Sequence, residues 1–187
     1  MEKAYRNGGF ASAVALRPPY VFGPNDDLDR ETWFFRRILA GRPVLVPGQG
    51  VAEYQFAHED DLGAAVCTWL RHSPKGFEAF NIADPRLVAA VELPRILAEA
   101  AGRTADVHLV GTSAGGASPR DWFPFRDVHC AADPTAFQAR FGWAPATGLE
   151  ERFAQIFRHL DETGGIGADD WTPLEAEILS KLNSKER

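Results

Sequence analysis

His58-Glu59-Asp60-Asp61 sets an imidazole beside three carboxylates, the donor chemistry that divalent metals take. Adjacent side chains at a strand-to-helix junction point in different directions, however, and acids at a helix start already have work to do on the exposed amides of the first turn. Helix capping is the expectation and a metal the alternative. Arg36, Arg37 and Arg42, with Trp33 and Phe34 alongside, form the local basic cluster. Guanidinium groups next to aromatic rings can hold a phosphate or stack a base, but a solvated helix face is the simpler expectation. A phosphate cradle needs glycines between a strand and a helix, so that backbone amides approach the anion. Gly111-Thr112-Ser113-Ala114-Gly115-Gly116 comes nearest, yet Ser118-Pro119 follows it, so a flexible loop is expected. His72, His108, His129 and His159 are scattered without a partner motif. Cys67 and Cys130 make neither a metal nor a C-x-x-C spacing and are expected as buried free thiols.

These residues sit in a chain of 187, with 45% hydrophobic and 25% charged residues, which is ordinary globular composition and enough for one real core. A net charge of -6 and a pI near 5.4 disfavour nucleic-acid and anionic-membrane partners, since both need a concentrated positive field. Small molecules are the expected partner class. No apolar run approaches the roughly 20 residues of a membrane span, and the N-terminus has no apolar signal region. A soluble, cytoplasmic protein is expected.

The elements are organised around Ala13-Val14-Ala15-Leu16, a continuous apolar run that suits a strand covered on both faces, as in a parallel sheet. Arg17-Pro18-Pro19 ends it, because proline cannot donate to the ladder, and Pro18 to Pro24 is expected as a turn. In open α/β sheets ligands sit at the carboxyl ends of strands, which makes this turn the expected site-lining element. Glu2 to Asn7 reads as the tail of a helix closed by Gly8-Gly9. After the polar loop Asn25 to Asp29, helical spacing predicts a helix over 31–39, stopped by Gly41. Short strands are expected over 43–46 and 53–57, about the turn Pro47-Gly48-Gln49-Gly50. Asp60-Asp61 open a helix running to Leu70, and 77–82 reads as a strand. A helix starts a little after Val91, where Pro94 fits the first turn, and is capped by Gly102. A strand over 105–110, a loop over 112–124, and helices over 134–141 and 149–162 follow. From Gly164 a loop and a peripheral tail helix are expected.

The string Leu16-Arg17-Pro18-Pro19-Tyr20-Val21-Phe22-Gly23-Pro24 resembles the matching segment of extended short-chain dehydrogenases/reductases, the NAD-dependent epimerase/dehydratase family. Four further strings follow in that family's order: Arg42 to Gly50, Gln55-Phe56-Ala57-His58-Glu59-Asp60-Asp61-Leu62, Phe80-Asn81-Ile82-Ala83, and Phe141-Gly142-Trp143-Ala144-Pro145. The resemblance covers roughly residues 1 to 160 and concerns the family's C-terminal half. Trp33 to Ile38 with Gly41-Arg42-Pro43 and Tyr20 is most similar to the branch that holds chloroplast stem-loop RNA-binding proteins and their bacterial relatives.

The resemblance implies an α/β fold, the C-terminal part of a Rossmann-like extended short-chain dehydrogenase/reductase: a late parallel strand, its helices and a small substrate-binding subdomain. Residues 1–163 are expected to form that portion and 164–187 a peripheral tail with a short helix. The parent chemistry is oxidoreductase, epimerase or dehydratase, with NAD or NADP as hydride carrier and a Tyr-x-x-x-Lys pair passing the proton. That pair is absent, since Gly9, Pro24 and His58 stand four residues after Tyr5, Tyr20 and Tyr54, and so is a glycine-rich dinucleotide loop. The chain is therefore expected to be a truncated half that neither binds the cofactor nor turns over alone. A glycine-loop half is its expected partner, with association between copies where that half is missing. By the resemblance, Pro18, Pro19 and Val21 line the nicotinamide side of the cleft, and Tyr20, Tyr54 and Arg42 meet the substrate. Many nucleotide-sugar enzymes of the family carry Asn at the place of Tyr20 and a phosphate-holding Arg at that of Tyr54, which speaks against a diphosphate sugar. A non-catalytic binding module of the same fold, structural or RNA-binding, is the alternative.

Overall fold

The structure is a computed structural model and describes residues 2–25, 28–72 and 75–185, so Asp26 and Asp27 of the expected polar loop lie outside it. The elements run α1 (Glu2–Asn7), β1 (Ser12–Arg17), β2 (Tyr20–Phe22), α2 (Glu31–Leu39), β3 (Val44–Pro47), β4 (Glu53–Tyr54), β5 (Phe56–His58), α3 (Glu59–Arg71), β6 (Gly76–Asn81), β7 (Val88–Ala89), α4 (Leu93–Ala100), β8 (Val107–Val110), α5 (Thr135–Phe141), α6 (Leu149–Thr163) and α7 (Pro173–Lys185). They divide between two compact units, each threaded from three stretches of chain. The first comprises Met1–Gly23, Tyr54–Leu87 and Cys130–Leu149, the second Pro24–Glu53, Val88–His129 and Glu150–Arg187.

In the first unit β1 and β6 pair in parallel, with Val14 opposite Glu78, Ala15 opposite Ala79 and Leu16 opposite Phe80. Successive strand side chains alternate between faces, so Val14, Leu16 and Phe80 share one face and Ala13, Ala15 and Phe77 the other. The first face packs on α3 and α5 through Ala65, Trp69, Phe137 and Trp143, with Ile82 completing the cluster. Phe137 is the hub, its ring centroid 4.7 Å from Phe141, 5.3 Å from Phe80 and 5.4 Å from Trp143. On the second face lies α1, where the Arg6 guanidinium sits 5.2 Å over the Phe77 ring. The strand predicted from an apolar run is thus covered on both faces by helices, the arrangement of a doubly wound sheet.

Three sequence expectations change here. The turn over 18–24 contains a strand: Pro18-Pro19 ends the β1 ladder, and the chain then forms β2 in a separate ladder, parallel to β5 with Tyr20 opposite Phe56 and Phe22 opposite His58. The strand expected over 53–57 is two, because Gln55 leaves the ladder between β4 and β5 to satisfy groups from three other segments. Cys67 is also exposed rather than buried. The buried face of α3 is set by Asp61, Ala65 and Trp69 at four-residue spacing, and Cys67 falls opposite.

In the second unit β3 pairs in parallel with β8, Val44 opposite Val107 and Val46 opposite Leu109. All four β3 residues are buried, as their uninterrupted apolar character predicts. Phe34, Phe35, Leu97, Phe123, Phe125 and Phe153 are among the core residues, each at most 2% exposed. Helix α7 belongs to this unit and buries Ile178 and Glu175.

Candidate functional site

At the carboxyl end of β1 the chain narrows to Pro18-Pro19, both half-buried, and passes into β2. Tyr20 donates its backbone N–H to the Gln55 carbonyl at 3.2 Å, which fixes the start of β2. Its ring meets Tyr54 edge-on, centroids 5.7 Å apart and planes at 87°, and lies 6.2 Å from Phe56. Tyr20 and Tyr54, both expected to meet the substrate, are therefore in ring contact. Tyr20 and Val21 are half-buried, whereas Tyr54 is fully buried behind Tyr20.

Gln55, which the sequence reading passed over, is the hub of this end of the unit. Its backbone N–H reaches the Cys130 carbonyl at 3.0 Å, its Nε2 donates to the Asp84 carbonyl at 2.8 Å, and its Oε1 accepts from Ala132 N–H at 2.7 Å. Only 3% exposed, it spends amide and backbone on holding two loops together, as a buried amide must. Asn81, closing β6, adds a bond from Nδ2 to the Asp133 carbonyl at 3.0 Å. The loops so tied bound a cleft of about 400 Å³ lined by Gln55, Leu87, Ala132, Asp133, Thr135 and Gln138. Burial pushes the Asp84 carboxyl above its usual range and the Asp61 charge adds to this, against a stabilising 2.8 Å bond from Arg86 N–H.

His58 caps α3: its Nδ1 accepts from Asp60 N–H at 3.2 Å. The helix thus begins at Glu59, and the cap is the imidazole rather than the acids that follow it. Among the described residues no three His, Cys, Asp or Glu side chains group as a metal site. The segment Gly111–Gly116 carries a single 3₁₀ turn at Ala114–Gly116, consistent with the expected loop.

The basic cluster lies in the second unit, where the expectation of a solvated helix face is overturned for Arg36 and Arg37, whereas Arg42 is exposed. Arg37 is 1% exposed. Its Nε and Nη2 grip Glu175 at 2.7 and 2.9 Å, its Nη1 reaches Asp170 at 2.9 Å and the Trp33 carbonyl at 2.9 Å, and the guanidinium lies 3.7 Å over the Trp33 ring. Arg36 pairs with Asp29 and with Asp170, the latter at 3.0 Å, and donates to the Ile166 carbonyl at 3.1 Å. Arg42 donates to Asp169 at 3.0 Å. Desolvation alone would raise Asp170, but the Arg36 hydrogen bond and the Arg37 and Arg36 charges outweigh it and hold its pKa below the usual range. The reason Arg37 is not solvated is thus an acidic stretch of chain more than 120 residues away.

Residues 1–83 match the family described as NAD dependent epimerase/dehydratase. The chain is 32% identical over 139 residues to chloroplast stem-loop binding protein of 41 kDa b of Arabidopsis thaliana, an alignment covering 74% of this chain and 37% of that protein. The chain belongs to the NAD-dependent epimerase/dehydratase family. Solved structures agree on the fold. A UDP-glucose 4-epimerase from Thermotoga maritima, determined with UDP-glucose, superposes with a TM-score of 0.67 at 23% identity, over 87% of this chain and 50% of that one. The dTDP-glucose 4,6-dehydratase DesIV from Streptomyces venezuelae, with NAD and TYD bound, gives 0.66 at 19% identity, over 92% and 49%. This family member thus spans about half the length of the solved structures, and less of the plant relative. Its parallel strands and flanking helices are those of the Rossmann-like extended short-chain dehydrogenase/reductase fold. No helix among the described residues is long and apolar enough to cross a membrane.

Proposed function

We propose that this chain is the substrate-binding portion of an NAD(P)-dependent epimerase, dehydratase or reductase, and that a glycine-loop half completes its sheet at β1. One observation carries the reading. Strand β1 is apolar on both faces and covered by helices on both, yet among the described residues it pairs on one side only, with β6. Of the two strands, β6 has the chemistry of a natural edge: Glu78 stands mid-strand, bonded by Trp69 Nε1 at 3.1 Å and facing Arg140 at 3.6 Å. No charge interrupts β1 before Arg17, so the sheet is built to continue on the β1 side.

In this reading Pro18, Pro19 and Val21 face the nicotinamide by backbone and apolar contact, and Tyr20 meets the substrate with Tyr54 as its support. Arg42 is the remaining substrate candidate. NAD or NADP would be held chiefly by the partner half, through the glycine loop and helix dipole that grip a pyrophosphate. The chemistry the cofactor supplies is hydride transfer. An aromatic pair where a phosphate-holding arginine would serve a diphosphate sugar favours a substrate without that group.

The test is calorimetric titration with NAD and NADP, paired with hydrogen exchange of β1 in the presence and absence of a glycine-loop half from a relative. No heat from the chain alone is expected, together with protection of β1 amides when the second half is added. Micromolar cofactor binding by the chain alone, or unchanged exchange in β1, would refute the reading. A second reading, nucleic-acid binding without redox chemistry, draws on the stem-loop binding relative and on the arginine cluster of α2.

A further inference from the structure

We propose that residues 166–175 are an acidic cover that occupies, within the same chain, a surface of α2 built to hold nucleic-acid phosphates and bases. The inference rests on the second reading above and names how that surface is regulated. The surface is Trp33, Arg36 and Arg37 on one helix, with Arg42 just beyond it. Guanidinium groups interleaved with an indole suit a strand whose phosphates track the cations while its bases stack.

What lies on this surface imitates such a strand. Asp169, Asp170 and Glu175 supply carboxylate oxygens to Arg42, to Arg36 and Arg37, and to Arg37, at 2.7 to 3.0 Å. Trp171 puts its ring 5.9 Å from the Arg37 guanidinium and 5.8 Å from that of Arg42, where a base would stack. One donor remains unused: Arg36 Nε is buried and has no acceptor among the described residues. The cover has a firm end and a loose end. Glu175 is fully buried and also accepts from Thr172 N–H and Oγ1, which fixes the start of α7. Asp169 and Asp170 are 29% and 45% exposed, and half-exposed ion pairs hold weakly and yield to competing anions. Gly164 and Gly167, both in the left-handed region, precede the Asp169-Asp170 segment that must lift.

The experiment is fluorescence anisotropy of a labelled RNA stem-loop with an unpaired loop, titrated with the full chain and with Asp169→Asn/Asp170→Asn at several salt concentrations. Glu175 is left intact so that α7 stays anchored, and an unchanged melting temperature verifies this. The variant should bind about tenfold tighter than the wild type, with a salt slope steeper by roughly 0.7 to 1.8, for one or two added phosphate contacts. Adding Arg36→Ala and Arg42→Ala to the variant should return both values to wild type. Equal binding by wild type and variant overturns the cover while leaving the nucleic-acid reading standing. No binding by either at low salt overturns both.

Discussion

Replacing Glu175 by Gln should destabilise the second unit more than any other single uncharging substitution in it. The Arg37 guanidinium makes four hydrogen bonds, two of them to Glu175, at 2.7 and 2.9 Å, and both side chains of the pair are 1% exposed. Glutamine keeps the shape but offers one acceptor and no charge, leaving a buried cation with only the half-exposed Asp170 to balance it. Removing one partner of a buried pair costs about 3–5 kcal/mol. For a chain of this size that corresponds to a fall in Tm of about 6–20 °C. The assay is urea and thermal unfolding followed by tryptophan fluorescence, since Trp33 and Trp171 flank the pair. Arg37→Met/Glu175→Leu provides the control. An apolar pair of similar volume strands no charge, so it should recover most of the loss. If Glu175→Gln stays within 1 kcal/mol of wild type, or if the double variant is worse than the single, the pair is not what anchors α7 and the reasoning fails.

Gly50→Ala should cost about 2–4 kcal/mol, because φ is +67° there and a methyl group would lie 2.7 Å from Val91 Cβ and 3.2 Å from Leu109 Cδ2; denaturant titration reads it, and a neutral result would show that the Pro47–Gly50 turn relaxes. Asp84→Asn should raise Tm at pH 7 and leave it unchanged at pH 3. A carboxyl raised by burial contributes stability below its unfolded value of 3.8 and loses it as pH rises through the folded value, so a Tm difference that grew toward acid would contradict the sign.

Much of the first unit was legible from local pattern. The apolar run at 13–16 becomes β1 flanked by helices, and α3 and α5 follow their periodicity, because each buries a continuous stripe that the sequence states directly. Strand β2 was missed because three residues between Pro18-Pro19 and Gly23-Pro24 carry no period, and only the pairing with β5 makes them a strand. Gln55 was missed for a related reason. A single polar residue inside Tyr54-Gln55-Phe56-Ala57-His58 reads as the outward member of an alternation, whereas it is buried and joins loops at 84 and 130–132. The signal available was that its neighbours on both sides are aromatic and themselves buried, which leaves no solvated face for it.

The arginine cluster marks a deeper limit, since its environment depends on residues 127 to 138 positions away. Local reading sees Arg36 and Arg37 on an amphipathic helix and Asp169-Asp170 in a polar tail, each at home in water. Net charge is equally blind, because -6 describes the far field and says nothing of which cations are already neutralised. The structure moves the argument about anionic partners from the whole chain to one face of α2. There the arrangement needed to bind an anion exists, and an anion from the same chain is bound to it. Whether another anion enters is therefore decided by competition with Asp169 and Asp170, the two pairs still open to solvent, and that competition weakens with salt on both sides. Wild type and variant should accordingly converge at high salt and separate at low salt, a pattern that unfolding of the variant would not produce.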